Sequence, residues 1–271
     1  MGRRLTYTIL AVAAAVALSL PASAQHYIGA KAGYGAASGR FYPKYEASMT
    51  WGKYTGGVMW KYYSAQQVVG GVSAELEFQQ RGYSLVHSGI KSDTTSYTTR
   101  IRTVNSITMP LIWQPHLYFA NRHVRIFLNA GITLSYNLGI NETLTEFDYK
   151  YDDKTKTATT LTVTVPYTMI RARDNRWNYG LCGGFGFGVL FGRWEVFAEA
   201  RYYYGMSDIL RNKTKYTFNE QGTIRSELDN LYVNFGFFFR LGKDGIKAPP
   251  LRRNREKVPD TNDFRNIKLN L

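Results

Sequence analysis

The chain has 271 residues, 34 Lys and Arg against 20 Asp and Glu, and a formal net charge of +14. Aromatic residues make up 15% and Tyr alone occurs 21 times, far more buriable surface than disordered chains carry. A single cysteine, Cys182, excludes an intramolecular disulfide framework and a multi-cysteine zinc site.

The first segment reads as a secretory signal. Arg3 and Arg4 form a positive n-region, Ile9 to Leu20 an apolar stretch, and Ala22-Ser23-Ala24 a cleavage site before Gln25. That stretch is too short to cross about 30 Å of hydrocarbon as a helix. Residues 1–24 are therefore expected to be removed on export, leaving a chain that starts at Gln25.

Period-2 alternation then dominates, the mark of strands with two different faces. Weaker segments at 26–36 and 55–64 come first. In the third, Val72, Ala74, Leu76 and Phe78 alternate with Ser73, Glu75, Glu77 and Gln79. The fourth, 97–114, sets Arg100 and Arg102 against Ile101 and Thr103, with Pro110 as a local break. The fifth, 124–138, carries Val124, Ile126, Leu128, Ala130, Ile132 and Leu134 on one face and Arg125, Phe127, Asn129, Gly131 and Thr133 on the other. In 177–191 a row of bulky residues faces a nearly bare one, Asn178, Gly180, Cys182, Gly184, Gly186 and Gly188. Two more segments follow, 194–204 (Glu195, Phe197, Glu199 and Arg201 on the polar row) and 231–241 (Asn234, Gly236, Phe238 and Arg240).

Eight strands are joined alternately by short turns (64–67, 119–123, 191–193) and long connections (about 37–54, 84–96, 139–175 and 206–229). Transmembrane barrels have this rhythm. A soluble barrel would turn its apolar rows inward. In a membrane barrel the polar rows face a lumen that eight strands leave just wide enough for side chains to fill. That lumen would hold Lys31, Lys61, Arg81, Arg100, Arg102, Arg125, Arg201 and Arg240 against Glu75, Glu77, Glu195 and Glu199, a set tolerable only as a paired structural network. Tyr34, Trp60, Trp113, Tyr136, Trp177, Trp194, Tyr202 and Tyr204 sit near strand ends, where interfacial belts belong. Residues 25–242 form the barrel, and 243–271 a basic, Pro-broken tail expected to be disordered and periplasmic.

Thr55-Gly-Gly-Val58, the run Gly71 to Tyr83, Ile107-Thr-Met-Pro-Leu-Ile112, Arg125 to Gly131, Trp177 to Gly186 and Ala198 to Gly205 carry a resemblance. On them, over roughly 26–242, the chain resembles the PorT-like family of outer-membrane β-barrel proteins, the outer membrane protein beta-barrel domain group. The resemblance implies an outer-membrane barrel with no known enzymatic role, and its namesake is linked to type IX protein secretion and maturation of secreted proteins. One departure is that the last strand ends near Phe239-Arg-Leu241, with a tail beyond it.

Candidate chemistry is thin. Gly184-x-Gly186-x-Gly188 has the look of a dinucleotide loop, but it alternates with Phe185, Phe187 and Val189, which makes a strand with no helix to receive a pyrophosphate. His87-Ser88 with Asp148, Asp152 and Asp153 would be the parts of a rim hydrolase, and His26, His87, His116 and His123 show no recurring spacing. His116 and His123 flank a short turn and read as interfacial. The positive charge is spread over lumen, loops and tail, which argues against nucleic acid and suits anionic lipid headgroups.

The sequence thus predicts an all-β protein: an eight-stranded, antiparallel, up-and-down transmembrane barrel with long exterior loops and periplasmic termini, in the outer membrane. No catalytic, metal or cofactor residues are expected. The leading function is a non-enzymatic scaffold in contact with outer-membrane lipid and with secretion or envelope proteins. The alternatives are a narrow passive channel or small-ligand binder and, last, a rim hydrolase.

Overall fold

The computed structural model describes residues 25–241 except 43–46, 64–69, 92–93, 121–122, 153–154, 172 and 212–224, and the side chains of these residues apart from 25, 86–98 and 146–160. The expected signal (1–24) and tail (243–271) lie outside the described residues.

The strands are β1 (Gln25–Tyr42), β2 (Ala47–Ser48), β3 (Thr50–Tyr63), β4 (Gly71–Lys91), β5 (Thr94–Gln114), β6 (His116–Phe119), β7 (Val124–Asp152), β8 (Thr155–Tyr167), β9 (Trp177–Phe191), β10 (Trp194–Gly205) and β11 (Arg225–Leu241). Eight of them close a ring in the order β1-β3-β4-β5-β7-β9-β10-β11, every pair antiparallel. The seam joins the first and last strands, from His26 opposite Leu241 to Tyr42 opposite Arg225. A closed ring leaves no edge within the wall, which hydrocarbon demands because it offers backbone groups no partner.

Alternation along each strand sorts side chains between two environments. On β7, Leu128 is 58% exposed and its neighbour Asn129 4%. Ile28, Leu76, Leu111, Phe185, Val196 and Phe235 are exposed around the outer wall, and Trp60, Trp113, Trp177 and Trp194 also face outward. The apolar rows therefore point away from the ring.

Two irregularities adjust the ladders. Asn105 pairs with Gly139 and Ser106 with Asn137, so Leu138 is skipped and the inward positions of β7 change from odd (Ser135, Asn137) to even (Ile140, Glu142). Between β1 and β3, Gly35 pairs with Lys53 and Ala36 with Trp51, skipping Gly52, whose φ of 81° suits glycine.

The structure corrects the expected long loops. Segment 84–96 is mostly paired, with β4 and β5 in register up to Lys91 opposite Thr94. Segment 139–175 contains a second hairpin, β7 with β8 up to Asp152 opposite Thr155. The 37–54 stretch is also largely strand. Segment 139–175 is Thr-rich: β-branching favours the extended backbone, but away from lipid the apolar-polar contrast that reveals a strand is weakened. β7 has 29 residues where about 9–11 tilted residues cross a bilayer, so its C-terminal part and all of β8 lie beyond the lipid-facing wall.

Candidate functional site

The ring interior is packed in layers. Nearest the short turns lies an apolar and aromatic layer of Tyr27, Met59, Tyr63, Phe127, Phe197 and Phe238. Glycines directly opposite on the neighbouring strands make room for it: a Cβ on Gly186 would meet the Phe127 ring at 2.5 Å, and one on Gly236 the Phe197 ring at 2.6 Å. The glycine row of β9 is thus a strand surface, with Gly188 leaving space for the Glu195 carboxylate.

Next comes the ionic layer. Lys31 Nζ lies 2.8 Å from Glu75, 2.6 Å from Glu77 and 3.1 Å from Glu199. The Arg201 guanidinium reaches the same three carboxylates, at 2.6, 3.2 and 2.8 Å. All five side chains are fully buried. Neutral donors complete the cage: Tyr203 and Gln79 donate to Glu77, Ser73 to Glu75, and Asn129 and Asn234 to Glu199. β4 and β10, which supply Glu75 and Arg201, stand opposite each other in the ring, so these bonds bridge the full lumen. A buried charge is tolerable when paired and hydrogen-bonded, as these are.

A second, less complete set sits on the aromatic layer. Arg125 pairs with Glu195 and lies over the Tyr63 ring, with its Cζ 4.2 Å from the centroid. Its Nε and Nη1 have no hydrogen-bond partner among the described residues. Lys61 Nζ also lacks one and rests 3.9 Å above the Phe238 ring centroid. Arg240 is buried, and its Nη2 has no hydrogen-bond partner among the described residues. Arg81 donates to Gln79, Thr108 and Ser135.

At the hairpin end a third layer, Tyr83, Val104, Ile140, Ile209 and Leu228, closes the ring. Here the structure departs from the inward set named above. Arg100 is largely exposed and Arg102 part-buried, both bonded to Glu142 at 2.9 and 3.0 Å. Position parity points them inward, but they lie above the filled lumen. Arg102 and Arg173 both lie over the Tyr167 ring. Burial, with the nearby Asp174 carboxylate, pushes the Tyr167 phenol up to about 12.

The histidines divide. His116 is not interfacial: it is 5% exposed and packs edge-on against Tyr63 at 5.0 Å, because inward parity continues across Pro115. The side chains of His87, Ser88, Asp148 and Asp152, and Asp153 altogether, lie outside the described residues. Among the described residues no group of three or more His, Cys, Asp and Glu could hold a metal ion. The neutral partners Gln79, Asn129, Tyr203 and Asn234 were not singled out from sequence, although each lies on an inward row beside a charge that was.

Residues 23–211 match the family described as outer membrane protein beta-barrel domain. No curated protein matches the chain. Among solved structures, the attachment invasion locus protein Ail of Yersinia pestis aligns with 79% of this chain and 99% of its own, at 8% identity and TM-score 0.31. Neisserial surface protein A aligns with 79% of this chain and 97% of its own, at 10% identity and TM-score 0.34. CarO of Acinetobacter baumannii aligns with 77% and 97%, at 14% identity and TM-score 0.30.

Proposed function

The chain belongs to the outer membrane protein beta-barrel domain family, and from that membership we propose that it is a non-catalytic scaffold of the outer membrane, PorT-like in role, serving protein secretion or envelope assembly. The short turns and both termini face the periplasm, where the basic tail 243–271 meets partners after the signal is removed. The β4–β5 and β7–β8 hairpins face outward. The twelve charged residues read from sequence as a network act structurally.

The observation that carries this reading is the bridged lumen. Five fully buried charged side chains join opposite walls, with an aromatic layer on one side and an apolar layer on the other. Such an interior favours neither a pore nor a ligand cavity.

Two measurements test it. In planar bilayers the purified protein should give no resolvable single-channel steps, whereas steady conductance would replace the scaffold with the narrow channel. In cells, tagged protein should co-purify with secretion or envelope components, and deleting 243–271 should abolish this. Retention of the same partners without the tail would overturn the tail's assigned part.

A further inference from the structure

Above the ring, the sheet β4–β5–β7–β8 ends abruptly. Among the described residues β8 hydrogen-bonds to β7 alone, in register from Ile140 opposite Tyr167 to Asp152 opposite Thr155. Backbone groups of alternate residues along β8 therefore point away from the sheet. Proteins guard such an edge with charge, proline, a bulge or a covering segment. β8 carries Lys156 at its tip and Pro166 at its base. Between them Thr157-Ala-Thr-Thr-Leu-Thr-Val-Thr-Val165 has neither charge nor proline.

Its two faces differ. Thr162 and Thr164 form a hydroxyl ladder with Thr145 and Thr143 at 3.4 and 3.1 Å. Leu161, Val163 and Val165 are exposed on the other face. The strand offers an incoming chain a backbone template with a Thr stripe on one side and an aliphatic stripe on the other.

The membrane restricts what can fill it. β8 runs antiparallel to β7, which continues unbroken from the wall, so the direction of β8 relative to the membrane is the same in every copy. Antiparallel pairing of two β8 edges needs opposite directions, which two copies inserted in one membrane cannot present, and the parallel pairing that a half-turn about the membrane normal would give sets the Thr stripe of one copy beside the aliphatic stripe of the other. β11, which the C-terminal tail follows in sequence, ends at Leu241 at the other end of the barrel.

We propose that β8 is a docking edge for an extended segment of a separate soluble polypeptide. That segment adds a fifth strand by main-chain hydrogen bonds and matches the two stripes with alternating aliphatic and hydroxyl side chains. The inference rests on the reading that the hairpin end projects into water.

The test uses the full chain in lipid nanodiscs, with a peptide copying Thr155–Val165 as the probe and hydrogen exchange as the readout. A free peptide, unlike a second barrel, can pair in either direction. Alternate β8 amides should exchange fast without peptide and slow at least tenfold with it. Val163→Lys, which places a guard charge on the edge, should abolish that slowing. Faster migration of unboiled protein on gels would show that the variant barrel is folded. Should that variant not fold, Thr162→Lys on the opposite face serves the same purpose.

Slow exchange of every β8 amide before peptide is added would mean the chain covers its own edge, and would overturn the proposal. Fast exchange unaffected by peptide would also overturn it. Clustering of protein-bearing vesicles without peptide would overturn it in favour of a second copy in a facing membrane. Conductance, or a hairpin that protease cannot reach from the aqueous side, would instead defeat the scaffold reading beneath it.

Discussion

Leu128 and Asn129 are consecutive residues of one strand that answer to different solvents. Leu128 faces outward among apolar side chains, and Asn129 bonds Glu199 inside the ring. Outside, any aliphatic or aromatic residue serves, because lipid is fluid and asks only for low polarity. Inside, each group needs a particular partner at a particular distance, because the packing is fixed and buried polar groups must be hydrogen-bonded. The outer wall should therefore tolerate changes of shape and reject charge, while the lumen rejects the loss of a partner.

Four substitutions, each followed by urea unfolding in vesicles, probe that contrast. Arg201→Met leaves Glu75, Glu77 and Glu199 facing Lys31 alone, and should cost about 3–5 kcal/mol, the range for breaking a buried ion pair. A cost below about 1 kcal/mol would show that the ionic layer is dispensable. Leu128→Arg puts charge on the lipid side and should cost about 2–4 kcal/mol near mid-depth. If Leu128→Arg proved silent, the assignment of faces would be wrong. Gly186→Leu drives a side chain into the Phe127 ring, for a loss of about 1–3 kcal/mol from overpacking. Lys61→Met removes a cation with no hydrogen-bonded partner among the described residues, so the change should stay within about 1 kcal/mol in either direction. A large loss there would reveal an unseen partner for Lys61.

Alternation made the wall legible in the sequence. In β10, Glu195, Phe197, Glu199 and Arg201 stand on the row opposite Val196, Ala198 and Ala200, and no tertiary information is needed to separate them. What parity leaves open is depth and partnership. Arg100 and Arg125 have the same parity-based claim to the interior, yet Arg100 lies above the point where the ring is already filled. Glu75 and Arg201 are 126 positions apart, and only the curvature of a closed sheet brings them together. Strand β8 is hidden for the opposite reason: its polar row is threonine rather than charge, so the contrast between its faces is weak, and its pairing with β7 is what marks it as a strand. The skip at Leu138 likewise depends on how β7 meets β5, which local composition does not encode.

The seam between β1 and β11 has a consequence for biogenesis. The first strand, β1, pairs early with β3, but it finds its second neighbour only when β11, ending at Leu241, has been synthesised. Until then one flank of the half-built cylinder offers a row of bare amides and carbonyls. Hairpins can add in chain order from β1 to β10, but the cylinder closes only at the end, and its slowest step should be the joining of its first and last strands.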